Sequence, residues 1–255
     1  MRKIWEIDFD VIGPISIEKN FNFKYEKGFD LQQFYSDIKI TKSTLGFKAT
    51  ITAYADTIDI AEIVANVYFG RMRDMLSVNN DIPIQLHKNE GRFNTTKSFR
   101  NRRKLTESDI ISAFKMARIF ESNEPKLLRA MGWYSKGKLT SNTFDQLFSF
   151  WNVIEILGSE YHEPNDRTSK GIKNKIYECF IKYFGPIETW KLPDKWIDTM
   201  HDKRSQIVHG GEDTTLESIN ETAKMIPLLE KTSKDLIDKI IDRHYNRREF
   251  VQFNF

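Results

Sequence analysis

A change in the spacing of apolar residues between positions 88 and 105 constrains the fold of this 255-residue chain more than any other feature. Before it, apolar and polar residues alternate, as in Ile7, Phe9 and Val11, which is typical of a β-strand with one buried face. After it, apolar residues recur every three or four positions, as in an amphipathic helix. The pattern predicts two domains of different architecture.

Residues 1–88 are expected to form a small α+β domain. Alternating runs predict strands near residues 7–11, 15–17, 21–25 and 49–55, and helical spacing follows Asp59. A last alternating run, Ile82 to Leu86, contains Pro83, which favours a strand at the edge of the sheet. No catalytic motif is recognisable in this region.

The segment of residues 89–104 is predicted to be a linker or an exposed arm. From Lys88 to Lys104 there are seven basic residues and the single acid Glu90, whereas the formal charge of the whole chain is only +3. The segment contains Gly91 and has no apolar periodicity. The domain boundary is therefore expected here, although a net charge of +3 does not by itself imply nucleic-acid binding.

Residues 105–255 are expected to be all-helical, with about five or six helices. Thr106 is a good N-cap, Pro125 suits the first position of a helix, and Gly185 with Pro186 ends a later periodic run. The expected helices begin near Thr106, Pro125, Ser141, Lys170, Pro193 and Thr215.

Several classes of protein lack support in the sequence. The single cysteine, Cys179, excludes an internal disulfide and a multi-cysteine metal site, and its apolar surroundings favour a packing role. No phosphate-binding glycine loop, zinc-protease motif or serine-esterase elbow is present. Without a signal peptide or a run of 18 apolar residues, a cytoplasmic protein with no membrane partner is expected.

Two charged residues lie on helix faces that are otherwise apolar. Glu155 continues an apolar stripe of Phe144, Phe148 and Trp151. Arg204 lies on the same helix face as Ile197 and Met200. In both stripes successive residues are three or four positions apart, which places them on one face of a helix. Inward-facing charges need partners, so Glu155 is expected to pair with Arg204, as a functional contact or as a purely structural ion pair.

His209 follows Arg204 by five residues and precedes Gly210 and Gly211. On an ideal helix the Arg204 and His209 side chains diverge by about 140°. Left-handed glycine conformations, or a second chain across a two-fold axis, are two ways to bring them together. The simpler alternative is that Arg204 pairs with Asp198 or Asp202 while His209 complements the helix dipole.

The run from Phe150 to Leu157, followed by the run from Arg204 to Gly210, resembles the HEPN superfamily, most closely its Apea-like branch. The resemblance covers roughly residues 105–245. It implies an antiparallel helical bundle with an Arg-x4-His motif. It also implies a dimeric, metal-independent endoribonuclease of toxin or antiviral defence systems, without a cofactor. Active members often carry Asn, Asp or His where this chain has Ser205.

The resemblance implies a role for each candidate residue. Arg204 and His209 would be catalytic, with Glu155 and Ser205 in support, in a homodimer with a composite active site. RNA would be the partner, and a regulatory or antitoxin protein is a further possible partner. The basic segment would contact the RNA backbone, the alternative being a merely solvated linker; its candidate residues are Arg100, Arg102, Arg103 and Lys104.

Two alternatives remain open at the level of sequence. In the first, the helical domain is a catalytically inactive binding or sensor module for a protein or nucleic-acid partner, which the departure at Ser205 favours. In the second, the ribonuclease is silent until the N-terminal domain senses a trigger.

Overall fold

A computed structural model describes residues 3–28, 34–88, 103–140, 142–211, 213 and 215–245 of the chain. The chain divides into two compact units, Met1–Arg118 and Ile119–Phe255. The first unit contains a mainly antiparallel arrangement of strands and the second contains helices. The expected α+β class is therefore confirmed.

The strands of the first unit are β1 (Lys3–Ile12), β2 (Ile15–Ile17), β3 (Phe21–Gly28), β4 (Phe34–Ser43), β5 (Gly46–Ala55), β6 (Gln85–Lys88) and β7 (Arg103–Leu105), and its first helix is α1 (Ile58–Asn80). Five strands form one sheet in the order β3-β4-β5-β1-β6, and all neighbours are antiparallel. β6 follows Pro83 and lies at an edge, as the sequence predicts. β4 adds a strand to those predicted.

The alternating side chains of β1 build the core of the first unit. Ile7, Phe9 and Val11 are almost fully buried. Phe9 stacks on Phe69 of α1 with ring centroids 5.9 Å apart, and Phe69 meets Phe114 edge-on at 5.6 Å. Phe114 belongs to the next helix, α2 (Glu107–Asn123), so the division between the units falls within this helix rather than in residues 89–104.

The end of the predicted linker is a strand. Arg103 and Lys104 lie in β7, which pairs in parallel with β2, and the backbone N–H of Arg103 donates to the carbonyl of Pro14 at 2.6 Å. Only Leu105 of this strand is buried, which is why side-chain periodicity could not reveal it. Residues 89–102, which hold the rest of the basic segment, lie outside the described residues.

Among the described residues, five α-helices follow α2: α3 (Pro125–Leu139), α4 (Thr143–Tyr161), α5 (Ile172–Phe184), α6 (Trp196–Val208) and α7 (Leu216–His244). α4 is the central helix of the second unit, because α3, α5, α6 and α7 all contact it. α6 begins three residues after the predicted start at Pro193, since Lys195 adopts a left-handed conformation with φ of 52°.

The helices of the second unit are not all antiparallel to their neighbours. α3 and α4 are antiparallel, as the contact of Gln146 with the carbonyl of Gly137 and the short connection between them indicate. α4 and α7 instead run in the same direction. Ser233 donates to the carbonyl of Phe150, and the ring of His244, later in α7, contacts the ring of Tyr161, later in α4. The intervening α5 and α6 return the chain to the starting end of the bundle.

Candidate functional site

The predicted stripe of α4 carries a carboxylate towards α6. Asn142 caps this helix, its side-chain oxygen accepting the backbone N–H groups of Phe144 and Asp145 at 3.0 and 3.1 Å. The cap fixes the register in which Trp151 is fully buried and Glu155 is half-buried. The Glu155 side chain is 19% exposed, so its charge needs partners within the protein.

Glu155 and Arg204 lie together between α4 and α6. The Arg204 Nη2 is 3.5 Å from the Glu155 Oε2, and the two side chains are 24% and 19% exposed. The Trp151 indole Nε1–H donates to the other carboxylate oxygen, Oε1, at 2.7 Å. The Arg204 guanidinium carbon also lies 5.7 Å from the centre of the Phe148 ring. Two residues of α4, Glu155 and Phe148, thus contact the Arg204 guanidinium, and Trp151 orients the carboxylate of Glu155.

The alternative partners of Arg204 are engaged elsewhere. Asp198 accepts hydrogen bonds from Tyr177 at 2.7 Å and from Lys173 at 2.8 Å. These donors hold the pKa of the Asp198 carboxyl below its usual range. Asp202 lies 3.4 Å from the Nδ1 of His201. Glu155 is therefore the carboxylate that Arg204 contacts among the described residues.

Two buried nitrogen donors, one on α6 and one on α4, have no acceptor within the described part of the chain. One is the Arg204 Nε and the other is the Nδ2 of Asn152, which lies on α4 three residues before Glu155. Leaving a buried donor unsatisfied costs about 1–3 kcal/mol. Such groups can donate hydrogen bonds to the oxygen atoms of a bound ligand, and a phosphate presents several such oxygens.

His209 lies at the end of α6 and is exposed. Gly210 takes the left-handed conformation with φ of 69°, and its N–H donates to the Ile207 carbonyl. The N–H of Gly211 closes the turn on the Gln206 carbonyl at 2.8 Å. The expected glycine turn is thus present.

This turn does not bring His209 to Arg204. Across the described ranges, no hydrogen bond, ion pair or ring contact joins the His209 side chain to Arg204 or Glu155. Ser205 is half-buried, and its carbonyl accepts the backbone N–H of His209 at 3.0 Å. One chain therefore supplies the Arg204 half of the candidate site in a fixed geometry and leaves His209 facing solvent.

His201 is a member of this neighbourhood that the sequence analysis did not single out. It precedes Arg204 by three residues on α6, and its ring centre is 6.4 Å from that of Trp151. Its side chain is 26% exposed. The spacing of three, which places two residues on one helix face, is the signal that could have found it.

Of the candidate RNA-binding residues in the basic segment, Arg103 and Lys104 lie within the described part of the chain. Arg103 and Lys104 are exposed on β7, and Lys104 pairs with Glu18 at 2.9 Å. The hydrogen bond and charge of Lys104 lower the pKa of Glu18. Arg100 and Arg102 lie outside the described residues.

Across the described chain, no group of three or more His, Cys, Asp or Glu side chains is arranged to hold a metal ion. No helix in these ranges is long and apolar enough to cross a membrane. Comparison of the chain with protein-family models, with curated proteins and with solved structures found no match.

Proposed function

We propose that the chain is a metal-independent endoribonuclease of the HEPN type that acts as a homodimer, in a toxin or antiviral defence system. The proposal rests on the contacts of the Arg204 guanidinium. Glu155 and Phe148 hold this guanidinium in place, yet its Nε has no acceptor among the described residues. His209, an imidazole side chain that can take up or release a proton, lies five residues further along the chain.

Cleavage of RNA without a metal needs three chemical groups. A base removes the proton of the 2′-hydroxyl, positive charge stabilises the phosphorane-like transition state, and an acid protonates the leaving 5′-oxygen. Arg204 would supply the charge, because a guanidinium matches two phosphate oxygens. His209 would exchange the proton at the 2′-oxygen or at the 5′-oxygen.

A dimer would complete the site. His209 is exposed and does not contact Arg204 in its own chain, so a second chain is needed to form one polar cleft from both residues. Val208, next to His209, exposes 45% of its surface although it is apolar. A partner chain that completed the cleft at His209 would also cover this valine. With two histidines in one cleft, one could act as the base and the other as the acid.

The same observations also support a second candidate, a helical binding module without catalysis. In that case the Arg204 cradle would bind a phosphate group of a nucleic acid or nucleotide without cleaving it. The exposed His209 and the serine at position 205 favour this candidate, since neither supplies a proton-transfer group next to Arg204. Measurement of cleavage separates the two.

The test compares the wild-type chain with Arg204→Ala and His209→Ala. Each purified protein is incubated with total cellular RNA in buffer containing a metal chelator, after circular dichroism has shown that it is folded. Arg129→Ala is the matched control, because Arg129 is an exposed arginine on α3. The proposal expects cleavage by the wild type and the control and loss of at least about 100-fold in both site variants.

Equal RNA integrity with all four proteins would contradict the ribonuclease proposal. If the wild type bound RNA without cleaving it and Arg204→Ala did not bind, the binding module would be supported instead.

A further inference from the structure

A cavity of about 440 Å³ opens in the second unit, away from the residues proposed above for RNA cleavage. It is enclosed by α5, by α7 and by the 3-10 turn Ile187–Thr189 with the chain that follows it. Cavities of this size hold small organic molecules. Neither Glu155 nor Arg204 nor His209 lines it.

The walls of the cavity are aromatic and fixed. Phe180, Phe184 and Trp190 all line it, and Phe180 is fully buried. The Trp190 Nε1–H donates to the carbonyl of Gly185 at 2.9 Å, and its ring meets Phe180 edge-on at 5.3 Å. Within the turn, the Thr189 hydroxyl donates a hydrogen bond to the carbonyl of Pro186 at 2.7 Å. A flat ring could enter without the wall having to reorganise.

The rim of the cavity is cationic. Three lysines and one carboxylate line it: Lys191, Lys231, Lys239 and Asp235. Lys231 and Asp235 form an ion pair with each other. In the part of the chain that the structure describes, Lys191 and Lys239 have no carboxylate within ion-pair distance, and both are exposed. The Lys239 Nζ lies 5.3 Å from the centre of the Phe184 ring.

Fixed aromatic walls and a cationic rim together select the chemistry of the occupant. Nucleobases stack on aromatic side chains, and a lysine ammonium binds phosphate as a point charge. An uncharged aromatic molecule would leave the two lysines without a partner. A bare anion would leave the apolar walls in contact with water.

We propose that this cavity binds a nucleoside monophosphate. The base lies against Phe184 and Trp190, whose rings pack on the buried Phe180, and the phosphate lies at the rim beside Lys191 and Lys239. The Asp235 carboxylate, at the same rim, accepts a hydrogen bond from a ribose hydroxyl. This site is separate from Arg204 and does not depend on ribonuclease activity.

Isothermal titration calorimetry on the full chain tests the proposal, with AMP, GMP, CMP and UMP as probes in metal-free buffer. At least one of them is expected to bind with a Kd between about 10 µM and 1 mM, the range for a ligand of this size. Adenosine, which lacks the phosphate, and inorganic phosphate, which lacks the nucleoside, each test one part of the proposed ligand. Each is expected to bind at least about tenfold more weakly, because it loses one of the two sets of contacts.

The variants Lys191→Ala and Lys239→Ala locate the binding site. Both residues are exposed, so their replacement leaves the fold intact. Each variant is expected to raise the Kd of the best nucleotide by about threefold or more. Lys126→Ala is the matched control: Lys126 is an exposed lysine on α3 that does not line the cavity, and its Kd should equal that of the wild type.

Three results would overturn the proposal. The first is that none of the four nucleotides binds at about 5 mM. The second is that Lys191→Ala and Lys239→Ala bind as the wild type does. The third is that binding is lost in Arg204→Ala and kept in Lys239→Ala, which would place the nucleotide elsewhere.

Discussion

The Trp151 indole N–H donates to one oxygen of Glu155 at 2.7 Å, and both residues lie on α4, one turn apart. The other oxygen of the same carboxylate faces the Arg204 guanidinium at 3.5 Å. A side chain of α4 itself therefore orients the carboxylate that faces α6. The position of Arg204 depends on a tryptophan that the sequence pattern identifies only as part of the core.

Replacing Trp151 tests this dependence. Trp151→Phe keeps an aromatic ring but removes the N–H donor, so Glu155 loses one of its two contacts. If the chain cleaves RNA as proposed, kcat should fall about tenfold with little change in KM, since in that mechanism Arg204 acts on the developing charge. The free energy of unfolding should fall by about 1–3 kcal/mol.

Trp5→Phe is the control for this variant. Trp5 also donates its indole N–H, to the carbonyl of Ala55 at 3.0 Å, but it lies in the first unit. Its loss should reduce stability without changing the rate of cleavage. A similar loss of kcat in both variants would mean that Trp151 acts only through general stability.

The left-handed turn after His209 predicts an effect on stability. Gly210→Ala places a side chain at φ of 69°, which should cost about 1 kcal/mol in urea denaturation. Gly70→Ala is the matched control: Gly70 lies within α1, and a Cβ there would meet nothing within 4 Å. Alanine at position 70 should stabilise the protein by up to about 1 kcal/mol. Equal effects of the two substitutions would contradict the turn geometry.

Buried tyrosines predict loss of stability at high pH. Burial raises the pKa of Tyr183 to about 12 and that of Tyr245 to about 12, from an ordinary value of 10.0, and it raises the pKa of Tyr161 as well. Below pH 10 both the folded and the unfolded chain keep these protons. Above it the unfolded chain loses them first, so stability falls as the pH rises towards 12.

Urea denaturation of the wild type and Tyr183→Phe between about pH 9 and pH 11 measures this effect. The variant should show a smaller decrease of stability with pH, because one of the raised pKa values is gone. An unchanged pH dependence would show that Tyr183 titrates normally in the folded chain.

The proposed dimer predicts an effect of Val208, which is apolar and 45% exposed beside His209. Val208→Asp should give a monomer in analytical ultracentrifugation, because burying the added charge at an interface costs free energy. The loss of the dimer should abolish cleavage as well. Ile187→Asp is the control, since Ile187 is 50% exposed elsewhere in the second unit. An active, monomeric Val208→Asp chain would rule out a composite site.

Local signals predicted the helices well. Pro125 opens α3, and Gly185 with Pro186 follows the end of α5, because caps and breakers act within a few residues. The neighbourhood of Glu155 and Arg204 was also predictable, since each charge continues an apolar stripe of its own helix. The three-residue strand β7 was not predictable, because only Leu105 of its side chains is buried and no alternation is visible.

Contacts between distant parts of the chain explain the remaining differences. Whether the Gly210 turn brings His209 to Arg204 depends on packing between helices, and sequence spacing does not contain that information. The aromatic cavity joins residues of α5 with residues of α7 about 50 positions later. The contact of His201 with the Trp151 ring also joins α6 with α4, although its spacing from Arg204 already places it on the same helix face.

The most direct test of the central claim is analysis of the RNA ends produced by the wild-type chain in the presence of a metal chelator. The account predicts fragments that end in a 2′,3′-cyclic phosphate, formed by attack of the 2′-oxygen, and no such fragments with Arg204→Ala or His209→Ala. Fragments with 3′-hydroxyl ends, or cleavage that persists in both variants, would contradict it.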